Sequence, residues 1–431
     1  MRKFEGKKLL LLGSNVGTMD LLTYAKANGA YTIVADNLPI EKSIGKQFAD
    51  CSVLISTGDH EQLKSFIRTE RVDGVFAGIS EFNLLSAMRL CEEMSLPFYC
   101  TRKQWDSIED KEHFRLLCES FGIPTPKTFF LGSNISTEKL EQIEMPVVVK
   151  PVDSCSSIGV SICRDKEMLL DAIAKASSYS RKKRIIIEEY FEGEEFTAHY
   201  TIVNNNVTLS CIDNRVPVFV HDGDVTSVPI ARLYPSTFID EYIKQVNDRM
   251  IELCRSMEMT CGVLFVQGLY NRQKNQFVVF EAGLRCAGEA PYRFLERING
   301  INFMNILLDY SLLGKVDSSQ VGKDDPYLRG KFACVTSYVS KGSIVGDIVN
   351  YDCIEKEVPS IVDKECRYSI GDCTPYGDTL RQIVLRFVLI CDSREQLIRD
   401  VERINSTVTV FDRDGNNLCF TFDIGNYSGW N

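Results

Sequence analysis

Residues 146–160 read PVVVKPVDSCSSIGV, and the rest of the chain is organised around them. Val147, Val148 and Val149 form a β-branched apolar run of the kind that makes a buried strand, with Lys150 at its end. Pro151 cannot donate to a ladder, so the strand stops and a small-residue loop follows: Asp153, Ser154, Cys155, Ser156, Ser157, Ile158 and Gly159. Successive backbone N–H groups in such a loop can close over phosphate oxygens, and an ammonium fixed at a strand end gives the anion a positive partner. The lysine precedes the small residues, so this is not the GxxxxGK[ST] phosphate loop. A core strand ending in an ordinary Pro/Ser/Gly turn has the same local pattern, and the flanking sequence decides between the two.

Upstream, Leu116, Leu117 and Phe121 give a short helix its apolar stripe, Gly122 ends it, and Pro124 and Pro126 force an extended exit. Asp110-Lys111 opens that helix. A lysine in a first helical turn sits at the positive end of the helix dipole, which suits either a solvated side chain or one that shares the position with an anion.

Downstream, a helix near 165–176 leads into RIIIEEYFEGEEFTAHYTIV, a strand followed by Glu188, Glu189, Glu194 and Glu195 within eight residues. The cluster is either a solvated hairpin end or a nucleoside site, since a carboxylate can accept both hydroxyls of a ribose and an extended hinge can pair with a base edge. The one basic run, Arg181–Arg184, reads as a solvated loop. An amphipathic helix over 240–258 precedes a hairpin, GVLFVQ and FVVFEAGLR joined by NRQKNQ, which brings Gln267, Glu281 and Arg285 onto one sheet. Glu281 follows four apolar residues, so it needs a cation: Mg²⁺ shared with phosphates, or Arg285 itself.

Residues 7–36 read as a βαβ unit, and the strand–helix alternation continues to about residue 95, which predicts a parallel sheet with helices on both faces. Asp36 stands where a dinucleotide fold holds ribose, but Gly13-Ser14-Asn15-Val16-Gly17 lacks the GxGxxG spacing that role requires. Gly78 and Glu81 fall at a strand end, on the expected ligand-facing edge. The last hundred residues are β-rich: KFACVTSYV, a turn at GSIVGDI, RQIVLRFVLICD, a helix from Ser393 to Arg403, and TVTVFD.

The 431 residues suffice for about three domains. A formal net charge of −10 argues against non-specific nucleic-acid binding, so an anionic ligand needs a local basic pocket. The 16 cysteines form no CxxC pair and many sit in apolar runs, which predicts reduced thiols in a cytoplasmic protein. The four-leucine run near the N-terminus is too short for a signal peptide, and no stretch is apolar enough to span a membrane.

Two lysines, a Ser/Gly loop, a glutamate cluster and an acid on a paired strand, in this order, resemble the ATP-grasp superfamily over about residues 1–313. Carbamoyl-phosphate-synthase-like proteins and L-amino-acid ligases are the most similar in pattern. The resemblance implies an α/β and α+β multidomain fold. Its parts are a parallel α/β pre-ATP-grasp domain at 1–100, a two-subdomain ATP-grasp domain at 101–315 with a mobile lid at about 125–190, and a small β-rich C-terminal domain at 316–431.

It also implies roles. Lys111, in DKxxxR, and Lys150 resemble the two phosphate lysines, and Ser156, Ser157 and Gly159 the loop that closes over the triphosphate. Glu188, Glu189 and the backbone of Phe191 fall where the family recognises adenine, and Glu195 where it holds ribose. Gln267 and Glu281 match metal positions, and Arg285 matches the arginine that steadies the transferred phosphate, with Arg215 and Arg293 as further candidate anion contacts.

The implied cofactors are ATP and Mg²⁺, with Mn²⁺ as an alternative ion. The implied partners are a small-molecule carboxylate and an amine, amino acids foremost, with neither nucleic acid nor membrane and with room for a homodimer. One position departs from the pattern: ExNxR is here Glu281-Ala282-Gly283-Leu284-Arg285, so the asparagine oxygen is missing. Three functional readings follow: a carboxylate–amine ligase working through an acyl phosphate, a nucleotide-binding relative without turnover, and an enzyme that activates bicarbonate.

Overall fold

Leu9, Leu10, Leu11 and Leu12 have almost no exposed surface. They make up most of β1 (Lys8–Leu12), and a strand that is apolar on both faces needs helices on both sides of its sheet. With β2 (Tyr31–Asp36), β3 (Cys51–Leu54) and β4 (Gly74–Phe76) it forms a parallel sheet in the order β3-β2-β1-β4. Helices α1 (Thr18–Ala27), α2 (Ile44–Phe48), α3 (His60–Glu70) and α4 (Glu81–Met94) alternate with these strands. This computed structural model describes every residue except 1, 15–16, 155–157, 221–226, 321, 378–379 and 431.

Asp36 is occupied inside this unit. Its carboxylate binds Lys46 Nζ at 2.9 Å, the Ser43 hydroxyl at 2.7 Å and the Leu38 N–H at 2.8 Å, so it is not presented to a ribose.

Two helices lead away from the first sheet. A capping box of Thr101 and Gln104 starts α5 (Arg102–Glu109), and Asp110 caps α6 (Lys111–Ser120) by accepting from the Glu112 and His113 N–H groups. Lys111 is therefore the first residue of α6, as the sequence suggests.

The second sheet contains β5 (Thr128–Gly132), β6 (Val147–Pro151), β7 (Ser161–Cys163) and β8 (Ile185–Glu189) in the antiparallel order β5-β8-β6-β7. It packs on the helix Leu169–Tyr179 around its own small core of Phe130, Val147, Val149, Cys163, Ile185 and Ile187. Six strands follow: β9 (Glu194–Val203), β10 (Asn206–Ile212), β11 (Asn214–Val218), β12 (Val228–Tyr234), β13 (Cys261–Asn271) and β14 (Gln276–Gly283). Of these, β10-β9-β13-β14 make an antiparallel sheet whose apolar residues share one core with the first sheet. The expected helix over 240–258 runs from Ile239 to Ser256 and passes through a π-helical stretch, Ile243–Asn247.

Strands β11 and β12 leave that sheet and pair with the end of the chain. There β15 (Phe332–Ser340), β17 (Ile361–Cys366), β18 (Ile383–Cys391) and β20 (Cys419–Phe420) complete a sheet in the order β11-β12-β15-β18-β17, with β20 on β15, while β16 (Val345–Val349) and β19 (Thr409–Asp412) form a separate pair. GSIVGDI, expected as a turn, instead supplies β16, which pairs with β19. The register slips between Val345 and Asp347, and a Cβ on Gly346 would stand 2.2 Å from the Asp412 carbonyl oxygen. The glycine that reads as a turn signal therefore marks a bulge where two backbones touch. No helix among the described residues is long and apolar enough to cross a membrane.

Candidate active site

Lys150 leaves the end of β6 and is almost wholly buried. Its Nζ donates to Glu188 Oε1 at 2.5 Å, and the other oxygen of Glu188 is taken by Arg115, which also donates to the Pro126 carbonyl. Glu188 comes from β8, the neighbour of β6, opposite Val148. Burial, reinforced by Arg115 and Lys111, pushes the Lys150 ammonium down, and Glu188 opposes the shift.

The second lysine reaches the same place from α6. Lys111 Nζ donates to the Ser154 carbonyl at 2.7 Å and to Glu281 Oε1 at 3.2 Å. Glu281, on β14, is the direct cross-strand partner of Gln267 on β13. Burial alone would raise the Glu281 carboxyl, but Lys111, Lys150 and Arg285 hold it below the usual range. Lys150 and Arg115 pair with the buried Glu188, and Lys111 pairs with Glu281, so each carboxylate at this place has a cation against it, as buried charges require.

Lys111, Lys150, Ser154, Glu188, Gln267 and Glu281 border a cavity of about 910 Å³, with Arg115 bound to Glu188 but off the lining. Of the residues singled out from sequence, Lys111, Lys150, Glu188, Phe191, Glu195, Gln267 and Glu281 line it, as does Arg215, which is paired with Glu195. Glu189 does not border it; its carboxylate accepts from the Lys127 N–H at 2.8 Å. Gly159 packs against Pro151 and Tyr179, with a positive φ of 81°, and is likewise off the lining. Ser156 and Ser157 lie outside the described residues. Arg293 is remote, bound by Asp20 and Asp363.

Arg285 stands beyond the end of β14 with its guanidinium carbon 4.9 Å from the centre of the Phe265 ring. Glu109 approaches it at 3.9 Å. Burial, then Glu81 and Glu281, push the Glu109 carboxyl up to about 7 against the opposing pull of Arg285.

Sequence reasoning missed several contributors. Arg115 is the arginine of DKxxxR and was visible as part of that motif. Arg164, Tyr190 and Arg272 also line the cavity, with Arg164 5.9 Å from the centre of the Tyr190 ring. Tyr427, Ser428 and Gly429 border it too, and Arg272 donates to the Gly429 carbonyl at 3.2 Å. Nothing local marks those tail residues, because their role depends on how the last strands fold back.

No group of three or more His, Cys, Asp or Glu among the described residues could hold a metal ion by itself. One carboxylate and one facing amide do suit a single Mg²⁺, which commonly takes one or two protein oxygens and completes its shell with phosphate and water. They do not supply the oxygens of a two-ion site, since Gly283 adds none.

A family model described as D-ala D-ala ligase C-terminus matches residues 117–223. The carbamoyl phosphate synthase large chain of Clostridium beijerinckii is 24% identical over 340 residues, 74% of this chain and 30% of that protein. The chain thus spans less than a third of the length of the first curated relatives it matches. Among solved structures, the L-amino acid ligase from Bacillus licheniformis superposes with a TM-score of 0.76 at 17% identity, covering 95% of this chain and 99% of that one. The biotin carboxylase domain of the Hydrogenobacter thermophilus 2-oxoglutarate carboxylase, solved with MgADP, ADP and bicarbonate, gives a TM-score of 0.75 at 15% identity and 96% coverage of both chains.

Proposed function

We propose that this chain, an ATP-grasp protein, is an ATP-dependent ligase that joins a small-molecule carboxylate to an amine. One observation carries the reading: Lys111, Lys150, Gln267 and Glu281, from four different elements, converge on one cavity. Amino acids are the proposed substrates, in line with the printed name of the L-amino acid ligase neighbour.

A carboxylate does not condense with an amine in water because oxide is a poor leaving group. In the proposed reaction a carboxylate oxygen attacks the γ-phosphorus of ATP, the bond to the β-phosphate oxygen breaks, and ADP leaves. The amine nitrogen then attacks the acyl carbon and phosphate departs. Lys150 and Lys111 hold the phosphates, and Arg285 steadies the charge that builds on the transferred group. Gln267 and Glu281 would hold Mg²⁺, which when bound neutralises phosphate charge.

We assign Glu188 as the counter-ion that fixes Lys150, and the backbone around Phe191 as the adenine side. The C-terminal segment would then wall the nucleoside end. Arg272→Ala, or truncation after Gly425, is expected to weaken ADP binding by about tenfold, the scale of one lost charge-assisted hydrogen bond. Isothermal titration with ADP checks this, and unchanged affinity in both variants would remove the tail from the site.

A nucleotide-binding protein without turnover is the second reading, and Gly283 favours it. Phosphate release over paired amino acids and amino sugars, with a bicarbonate arm and Glu281→Ala as the blank, separates the readings. Release that depends on an acceptor pair supports the ligase, and release that depends on bicarbonate points to carbamoyl-phosphate-type activation. A rise in melting temperature with ATP but no release supports the binder. A protein that neither binds nor turns over ATP overturns all three.

A further inference from the structure

Gly283 faces Phe265 across β13 and β14, and the phenylalanine ring lies over it. A Cβ built on Gly283 would stand 2.3 and 2.4 Å from two carbons of that ring, closer than any side chain tolerates. The space of an asparagine side chain is therefore not vacant; an aromatic ring from the adjacent strand fills it. Such pairing of an aromatic residue with a cross-strand glycine covers the exposed backbone and stabilises the register.

The ring does a second thing. The Arg285 guanidinium lies 4.9 Å from its centre, within the range of a cation–π contact, while Arg285 Nε is buried with no hydrogen-bond partner among the described residues. Glu109 Oε1 stands 3.9 Å from that nitrogen and is itself fixed by the Leu284 N–H at 3.1 Å. The same oxygen would be 3.1 Å from a Cβ at 283, so the ring, the carboxylate and the guanidinium all meet over the glycine. A guanidinium that lacks a full set of hydrogen bonds has its direction set by the surfaces around it.

We propose that Phe265 and Glu109 are positioning residues for Arg285, and that glycine is required at 283 because any side chain there would displace the ring on which the arginine rests. The function of Arg285 in phosphoryl transfer rests on the ligase reading; the arrangement that aims it does not.

Four variants test the proposal: Phe265→Leu, Phe265→Tyr, Gly283→Ala and the double Phe265→Leu/Gly283→Ala. With whichever acceptor pair gives phosphate release in the wild type, Phe265→Leu and Gly283→Ala are each expected to lower kcat by about tenfold, the scale of a desolvated cation–π contact. KM for ATP should stay within about twofold, because the phosphate lysines are untouched. Phe265→Tyr keeps the ring and should keep kcat. The double variant should be no worse than either single one, since both changes remove the same contact. An unchanged kcat in Phe265→Leu, a KM for ATP that rises in step, or losses that multiply in the double variant would each overturn the proposal. Should the wild type release no phosphate with any acceptor, the ligase reading fails separately. Phenylglyoxal labelling of Arg285, followed by peptide mass, then judges the stack alone. Labelling several-fold faster in Phe265→Leu than in the wild type supports it, and equal rates reject it.

Discussion

Lys150→Ala is expected to lower ATP turnover by on the order of a hundredfold or more while the chain stays folded, the usual cost of removing one preorganised charge contact. The ammonium is buried, fixed by Glu188 at 2.5 Å and set 5.7 Å from the centre of the Phe280 ring, so it cannot swing away and no exposed lysine can replace it. Removing it strands half of the Glu188 carboxylate, but Arg115 still holds the other oxygen. The fold should therefore lose only about 1–3 kcal/mol, the range for one unsatisfied buried polar group. ADP release by a coupled assay measures the first effect and thermal melting the second. Full activity in a folded Lys150→Ala protein would overturn the proposed phosphate role of this lysine.

Glu281→Ala is expected to cost at least as much turnover, again on the order of a hundredfold or more, for a different reason. Glu281 and Gln267 are cross-strand partners that both line the cavity, and Glu281 alone of the two carries charge. In the proposed Mg²⁺ site its loss would leave only a neutral amide, and Mg²⁺ is held poorly by such a ligand without a carboxylate. The direct check is Mn²⁺ binding in the presence of ADP, followed by electron paramagnetic resonance. The wild type should bind one ion and Glu281→Ala none at micromolar concentration. Equal binding by the two proteins would place the metal elsewhere. Stability should change little, because Glu281 keeps 30% of its side chain exposed and its partner Lys111 retains the Ser154 carbonyl.

The local structure around several of the candidate residues was legible before any folding was considered. VVVKP announces a buried strand that stops with a lysine at its tip, and the geometry at Lys150 has that form. Asp110-Lys111 announces a capped helix whose first residue is cationic, and α6 begins there. The hairpin that carries Gln267 and Glu281 follows from two apolar runs around a polar turn, although a side chain's sequence neighbours do not reveal its cross-strand partner.

The glutamate cluster was less legible. Period-two alternation says that Glu188 and Glu189 point to opposite faces, but not which face meets a cation. In the fold, Glu188 is drawn in between Lys150 and Arg115 and Glu189 turns out to Lys127. Glu194 and Glu195 each carry an arginine, Arg272 and Arg215, that comes from a different strand or turn.

Local pattern was enough to place the strand that ends at Lys150 and the helix that opens at Lys111, because hydrophobic periodicity, proline and capping residues act over a few neighbours. Partnership across the chain was settled only by folding. Lys111 meets Glu281 across a separation of 170 positions, Gly429 meets Arg272 across 157, and β12 joins a sheet completed more than a hundred residues later. Gly283 shows the difference most plainly. In the sequence it is a missing oxygen, and in the fold it is the space that a phenylalanine needs, since only the register of two strands decides which side chains share one volume.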